Sequence, residues 1–207
     1  MMKSLLLALP LFLCPITASA LQPAAAAQTD ASSAQTLASV ATIRERFVRS
    51  ILPEGSAGIE YLHQEGADYA ASLKPDGSWP DIDYTNARRS GWTASDHLNR
   101  VLLMAKSARV YRDAGQPDTA LETKIPLALK WWTDHDYRNP NWWWNEIGVP
   151  ELMGQIGNLM LPQIPADELA KMTAIMKRSN WRRVPWTGAN LTWGVGIEIA
   201  RGCMEND

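Results

Sequence analysis

From Ser33 onward, apolar residues recur at three- and four-residue intervals, with no run of the strict alternation that marks a half-buried strand. A first helix is predicted over 33–52. Leu37, Val40, Phe47, Val48 and Ile51 form its stripe, and Pro53-Glu54-Gly55 stops it. A second runs over 56–73 and ends at the turn signal Lys74-Pro75-Asp76-Gly77. A loop through Asp81 and Asp83 follows. The third helix opens at Thr93-Ala94-Ser95-Asp96, which has capping-box spacing, buries Leu98, Val101, Leu102 and Ala105, and ends at Gly115. Asp118 caps a fourth helix with Leu121, Ile125, Leu129 and Trp132 on one face and Pro126 inside it. Gly148 and Pro150 mark the start of a fifth, with Leu152, Met153, Ile156 and Met160 inward. A sixth opens at Pro165 and Asp167 and buries Leu169, Met172 and Met176. A last one starts near Asn190 and runs through Val195 and Ile199. The fold class is therefore all-α, in antiparallel helix pairs joined by short links. Periodicity alone leaves a bundle and a toroid both open.

The first residues carry a different pattern. Lys3 precedes an apolar run from Leu5 to Ile16, and Ala18-Ser19-Ala20 has the small-residue spacing of a cleavage site. Residues 1–20 are expected to be a signal peptide, 21–31 an alanine-rich disordered leader, and 32–207 one helical domain. The run is too short to span a membrane, so a secreted or periplasmic protein is expected, with no membrane span. Leu13 before Cys14 does not suit a lipoprotein cleavage box. Cleavage would leave Cys203 as the single cysteine, expected to be small and buried, with no intrachain disulfide.

The net charge of −2 argues against nucleic acid as a partner, while leaving room for a local basic groove. Asp81 and Asp83 lack the frame of a calcium loop and are read as a solvated loop. His97 has no second ligand at metal spacing and is read as a hydrogen-bonded structural histidine. No metal and no cofactor is expected.

The densest chemistry is the stretch Asn139-Pro140-Asn141-Trp142-Trp143-Trp144-Asn145, placed in the connection before the fifth helix. Adjacent side chains on a helix point about 100° apart, so one element cannot bury all three indoles against one partner. Indole faces beside amides suit a sugar ring, which offers C–H faces and hydroxyls. An aromatic cluster joining a helix end to its neighbour accounts for the stretch equally well. Ten tryptophans against two phenylalanines admit the same two explanations.

Asn141-Trp142-Trp143, Glu146-Ile147-Gly148 and Pro150 resemble the N-W-W-x-x-E-I-G-x-P signature of the polysaccharide lyase family 8 enzymes, the hyaluronate, chondroitin AC and xanthan lyases. Thr187-Gly188-Ala189-Asn190 resembles that family's T-G-A-N block, and the loop from Asp76 to Tyr84 is also similar. The resemblance runs from about Trp79 to the end. It implies an incomplete α/α toroid, here without the family's β-sheet domains. It also implies an enzyme, a carbon–oxygen lyase that cleaves an acidic, uronic-acid-containing polysaccharide by β-elimination.

On the same resemblance Asn190 is catalytic, stabilising charge on the uronate carboxylate in the manner of an oxyanion hole. Trp142 and Trp143 form the sugar platform, Asn141 accompanies them, and Trp186 extends it. On the residues alone, Asn190 also reads as a helix N-cap. The family's general base and acid, a histidine and a tyrosine, lie further along the family's chain than this sequence reaches. His63, His97 and His135 all precede the signature, so the chain alone is expected to be inactive. The alternative is a non-catalytic carbohydrate-binding α/α domain that keeps the platform and lacks the acid–base pair.

Overall fold

The structure is a computed structural model that describes residues 22–180, 182 and 185–206. The expected signal peptide lies outside the described residues. The helices are α1 (Gln22–Ile51), α2 (Ser56–Ser72), α3 (Ala94–Asp113), α4 (Thr119–His135), α5 (Val149–Met160), α6 (Ala166–Met176) and α7 (Gly188–Glu205). A π-helical turn, Trp144–Gly148, precedes α5. No strand occurs among the described residues, and no described helix is long and apolar enough to cross a membrane.

Residues up to Thr36 form one unit and Leu37–Asp207 another. In the second, α3 packs on α2 and α4, α5 packs on α3, α6 and α7, and α4 also touches α6. The shared core holds Leu98, Val101, Ile125, Trp132, Met153, Ile156 and Met172, each at most 1% exposed. These are the stripes expected of α3 to α6. Close approach of α5 and α7 depends on small residues. A Cβ on Gly154 would stand 2.9 Å from the Ala200 Cβ, and buried Asn158 donates from Nδ2 to the Ala200 carbonyl at 2.9 Å.

The sequence reading of several details needs correction. Helix α1 begins at Gln22, in a stretch rich in alanine, the strongest helix former. Leu37, placed on the stripe of the first helix, is 51% exposed, and Val195 and Ile199 of the last helix are 39% and 49% exposed. Ile199 and Ile43 flank a shallow apolar groove between α1 and α7, above buried Cys203. The expected capping box of α3 does not form. Thr93 has helical backbone angles, and its hydroxyl donates to the Asp83 carbonyl at 2.7 Å, tying the preceding loop to the helix start. Asp118 does cap α4, accepting from Ala120 N at 2.9 Å and Leu121 N at 3.1 Å.

Candidate functional site

The tryptophan stretch is not a connection. Trp142 and Trp143 begin a helical turn that continues through the π turn into α5. The Val149 N–H donates to the Trp144 carbonyl, the i→i+5 bond of a π-helix. The wider turn lets Trp143 and Trp144 fold back over Gly148. A Cβ there would lie 2.7 Å from Trp143 Cζ3 and from Trp144 Cε3, so the two rings occupy the space that any side chain needs.

Three asparagines fix this turn. Asn139 N donates to Asn145 Oδ1 at 3.0 Å, and Asn145 Nδ2 returns a bond to the Asn139 carbonyl at 2.7 Å. Asn139 Oδ1 accepts from Asn141 N, and Asn141 Oδ1 from Trp143 N, at 2.8 and 3.2 Å. The remaining amide hydrogens reach a second loop, Asn139 Nδ2 to the Arg88 carbonyl at 2.9 Å and Asn141 Nδ2 to the Arg89 carbonyl at 3.3 Å. The side chain of Asn141 is thus spent on backbone groups, which satisfy donors and acceptors that would otherwise stay unmet.

The three indoles then separate as adjacent helical residues must. Trp144 meets Trp92 at 5.5 Å between ring centroids, and Trp92 meets buried Trp132 at 5.8 Å. Trp143 is half-buried, edge-on to Trp144 at 5.1 Å and to Trp193 of α7 at 5.6 Å. Trp142 alone of the three is 43% exposed. Its ring lies 5.9 Å from that of Trp186, tilted by 38°.

Trp142, Glu146, Pro185, Trp186, Thr187 and Asn190 line an open cleft of about 380 Å³. It therefore contains Trp142, Trp186 and Asn190 from the sequence reading. Trp143 and Asn141 are not among its lining residues. Asn190 stands in the first turn of α7, half-buried, and its side-chain amide bonds to no described residue. It is not the N-cap, because Thr187 holds that position with extended backbone angles. Thr187 makes no capping bond with its side chain, so the positive end of the helix dipole opens toward the cleft.

Sequence reasoning gave no role to Glu146, which reaches the cleft one turn beyond Trp142. Trp193, one turn beyond Asn190 and 38% exposed, stands edge-on to Trp143 and is not among the lining residues. The spacing of Glu146, four residues from Trp142, was the available signal.

None of the histidines lines the cleft. His97 is fully buried in a relay of donated hydrogen bonds. Trp79 N–H gives to the Tyr84 oxygen at 3.0 Å, the Tyr84 hydroxyl to His97 Nδ1 at 2.9 Å, and His97 Nε2–H to the Ala128 carbonyl at 2.8 Å. Burial, only partly opposed by the bond to Ala128, pulls the imidazole down to about 4, and burial pushes the Tyr84 phenol up to about 12. His97 is structural, as expected. Asp81 is held by Arg100 through two bonds of 2.8 and 2.5 Å, which lower its pKa, and Asp83 turns to Thr85. No cluster that could hold a metal ion occurs among the described residues.

The cleft combines apolar ring faces, a spare amide donor and a helix start, on an all-helical scaffold. The family model for polysaccharide lyase family 8, N terminal alpha-helical domain, matches residues 58–207. The chain belongs to that family. It is 34% identical over 125 residues to the chondroitinase-AC of Pedobacter heparinus, covering 58% of this chain and 17% of that protein. It is 25% identical over 170 residues to the xanthan lyase of Bacillus sp. (strain GL1), covering 73% of this chain and 17% of that one. Among solved structures, a chondroitinase AC lyase studied as enzyme–oligosaccharide complexes matches with a TM-score of 0.71 and 26% identity, over 81% of this chain and 24% of that one. The chain thus spans about a sixth of the length of the curated relatives it matches.

Proposed function

We propose that this chain is part of an exported lyase that cleaves a uronic-acid-containing polysaccharide of the hyaluronan, chondroitin or xanthan type by β-elimination. The supporting observation is the convergence of Trp142, Trp186 and Asn190 on one cleft from two separate stretches of chain. A sugar ring stacks its C–H face on Trp142, with Trp186 continuing the apolar wall. Trp143 belongs to this platform by resemblance and supports it from beneath Trp142's turn. Asn141 contributes by holding that turn.

Stacking places the scissile linkage. The chemical difficulty lies in the next step, because the C5 proton is next to a carboxylate that is already negative. Removing it builds further charge on the carboxylate oxygens. The amide of Asn190 donates to those oxygens, and the first turn of α7 adds its partial positive charge. These groups stabilise the developing charge but transfer no proton. The base that takes the C5 proton and the acid that protonates the departing C4 oxygen are supplied by parts of the family's enzymes outside this sequence.

A second reading is a carbohydrate-binding α/α domain without catalysis. It is favoured by one observation: no histidine or tyrosine lines the cleft among the described residues. The two readings separate in one assay. The 207-residue chain is incubated with hyaluronan, chondroitin sulfate and xanthan, while binding and the ultraviolet absorbance of an unsaturated uronate are both followed. Binding without absorbance from this chain, and absorbance that depends on Asn190 in an enzyme extended through the rest of the family's length, supports the lyase. Absence of binding to all three polymers contradicts both readings.

A further inference from the structure

The loop Asn86–Gly91 is fastened to the tryptophan turn more firmly than a solvated loop requires. Asn86 Oδ1 accepts from Arg88 N at 2.9 Å and shapes the turn. The Arg88 carbonyl is held by Asn139 and the Arg89 carbonyl by Asn141, the residue next to Trp142. On the other side, Gly91 takes a positive φ of 66° and Trp92 is buried against Trp144 and Trp132. The backbone of both arginines is therefore set from two directions by the segment that presents Trp142. Their side chains are exposed, and neither forms an ion pair with a described residue. Two exposed carboxylates of the preceding loop are already engaged, Asp81 by Arg100 and Asp83 by Thr85.

We propose that Arg88 and Arg89 form an anion subsite beside the cleft, binding carboxylate or sulfate groups on sugars next to the one stacked on Trp142. This rests on the polysaccharide reading above. A guanidinium fork matches either group with two parallel hydrogen bonds, so each arginine can fix the register of a charged sugar as well as attract it. A locked backbone lowers the ordering cost of that contact. Among the described residues, the cleft lining includes a carboxylate, Glu146, and no cation.

The test is the affinity of the full chain for chondroitin sulfate and for hyaluronan, by calorimetry at two salt concentrations. The variants are R88Q/R89Q, W142A and, as a control with the same charge change on the exposed face of α1, R46Q/R49Q. R88Q/R89Q should weaken binding about five- to twentyfold and flatten its salt dependence, with R46Q/R49Q close to the parent. An equal loss on both polymers assigns the contact to carboxylates, and a loss confined to chondroitin sulfate assigns it to sulfate. Parent-like binding by R88Q/R89Q, or an equal loss in R46Q/R49Q, overturns the subsite. If W142A still loses affinity in that case, the polysaccharide reading stands without it. If the parent chain binds neither of these polymers nor xanthan, both fall together.

Discussion

The rings of Trp142 and Trp186 lie 5.9 Å apart, tilted by 38°, although one opens the helical turn before α5 and the other precedes α7. Trp142 is 43% exposed and Trp186 only 8%. One ring therefore acts as an anchored wall and the other as the accessible face. The cleft they line is the one proposed above to hold a sugar.

Removing the accessible face should affect binding and spare the fold. Trp142→Ala is expected to weaken affinity for a uronate oligosaccharide about fivefold, in line with roughly 1 kcal/mol for a lost aromatic contact. Its melting temperature should stay within a few degrees of the parent, because Trp142 contributes little to the core. Calorimetric titration and a thermal melt on the same sample separate the two effects.

Asn190 should behave in the opposite way. Its amide bonds to no described residue, so Asn190→Ala should leave stability nearly unchanged, with binding within a few-fold of the parent. In an enzyme carrying the family's proton-transfer groups, loss of the donor should lower kcat about 10²- to 10³-fold, with KM within a few-fold. A rise in KM at constant kcat would assign Asn190 to binding instead.

Gly148 is the packing point of the turn. Gly148→Ala places a methyl group 2.7 Å from two indole rings, and those rings are wedged against Trp92 and Trp193. Overpacking of this kind costs roughly 1–3 kcal/mol. The denaturant midpoint should fall accordingly. Trp142-dependent binding should weaken too, because the same turn carries that ring. A midpoint equal to the parent's would mean that the rings move aside freely.

His97 makes stability depend on pH. Its folded pKa of about 4 is below the ordinary 6.5, so between those values the unfolded chain binds a proton that the native chain does not. Its contribution is therefore fully present above pH 6.5. It is lost as pH falls through that window, by on the order of 3 kcal/mol at the low end. Carboxylates add their own titration toward pH 4, so the informative range is pH 6.5 to 5. There the parent's melting temperature should decline, and His97→Gln, less stable at neutral pH, should decline less. Parallel slopes for the two proteins would contradict the buried, neutral imidazole.

Helix positions were largely legible because their signals are local. The stripe of α4, the Asp118 cap and the glycine after α3 each depend on residues within one or two turns. The misreadings occur where a distant partner intervenes. Thr93 has the spacing of a cap, but the Asp83 carbonyl takes its hydroxyl. The tryptophan turn carries Gly148 and Pro150, which suggest a helix start, yet its hydrogen bonds shift to i→i+5 and the helix begins earlier. Asn190 resembles an N-cap until Thr187 occupies that place.

The tryptophan count has a largely structural cause. Trp79, Trp92 and Trp132 are at most 2% exposed, and ring contacts run from Tyr84 through His97, Trp132 and Trp92 to Trp144. The platform draws on the same residue type, so composition could not tell wall from core. The bonds from Asn139 and Asn141 to Arg88 and Arg89 cross some fifty residues of chain, and no periodic pattern reports them.

The central claim is that the cleft holds the uronate-bearing sugar. Its most direct test is a crystal structure of the chain with a chondroitin or hyaluronan oligosaccharide. A sugar ring is expected against Trp142, with a uronate carboxylate oxygen within about 3 Å of Asn190 Nδ2. An oligosaccharide seated elsewhere, or one in the cleft with its carboxylate turned away from Asn190, would contradict it.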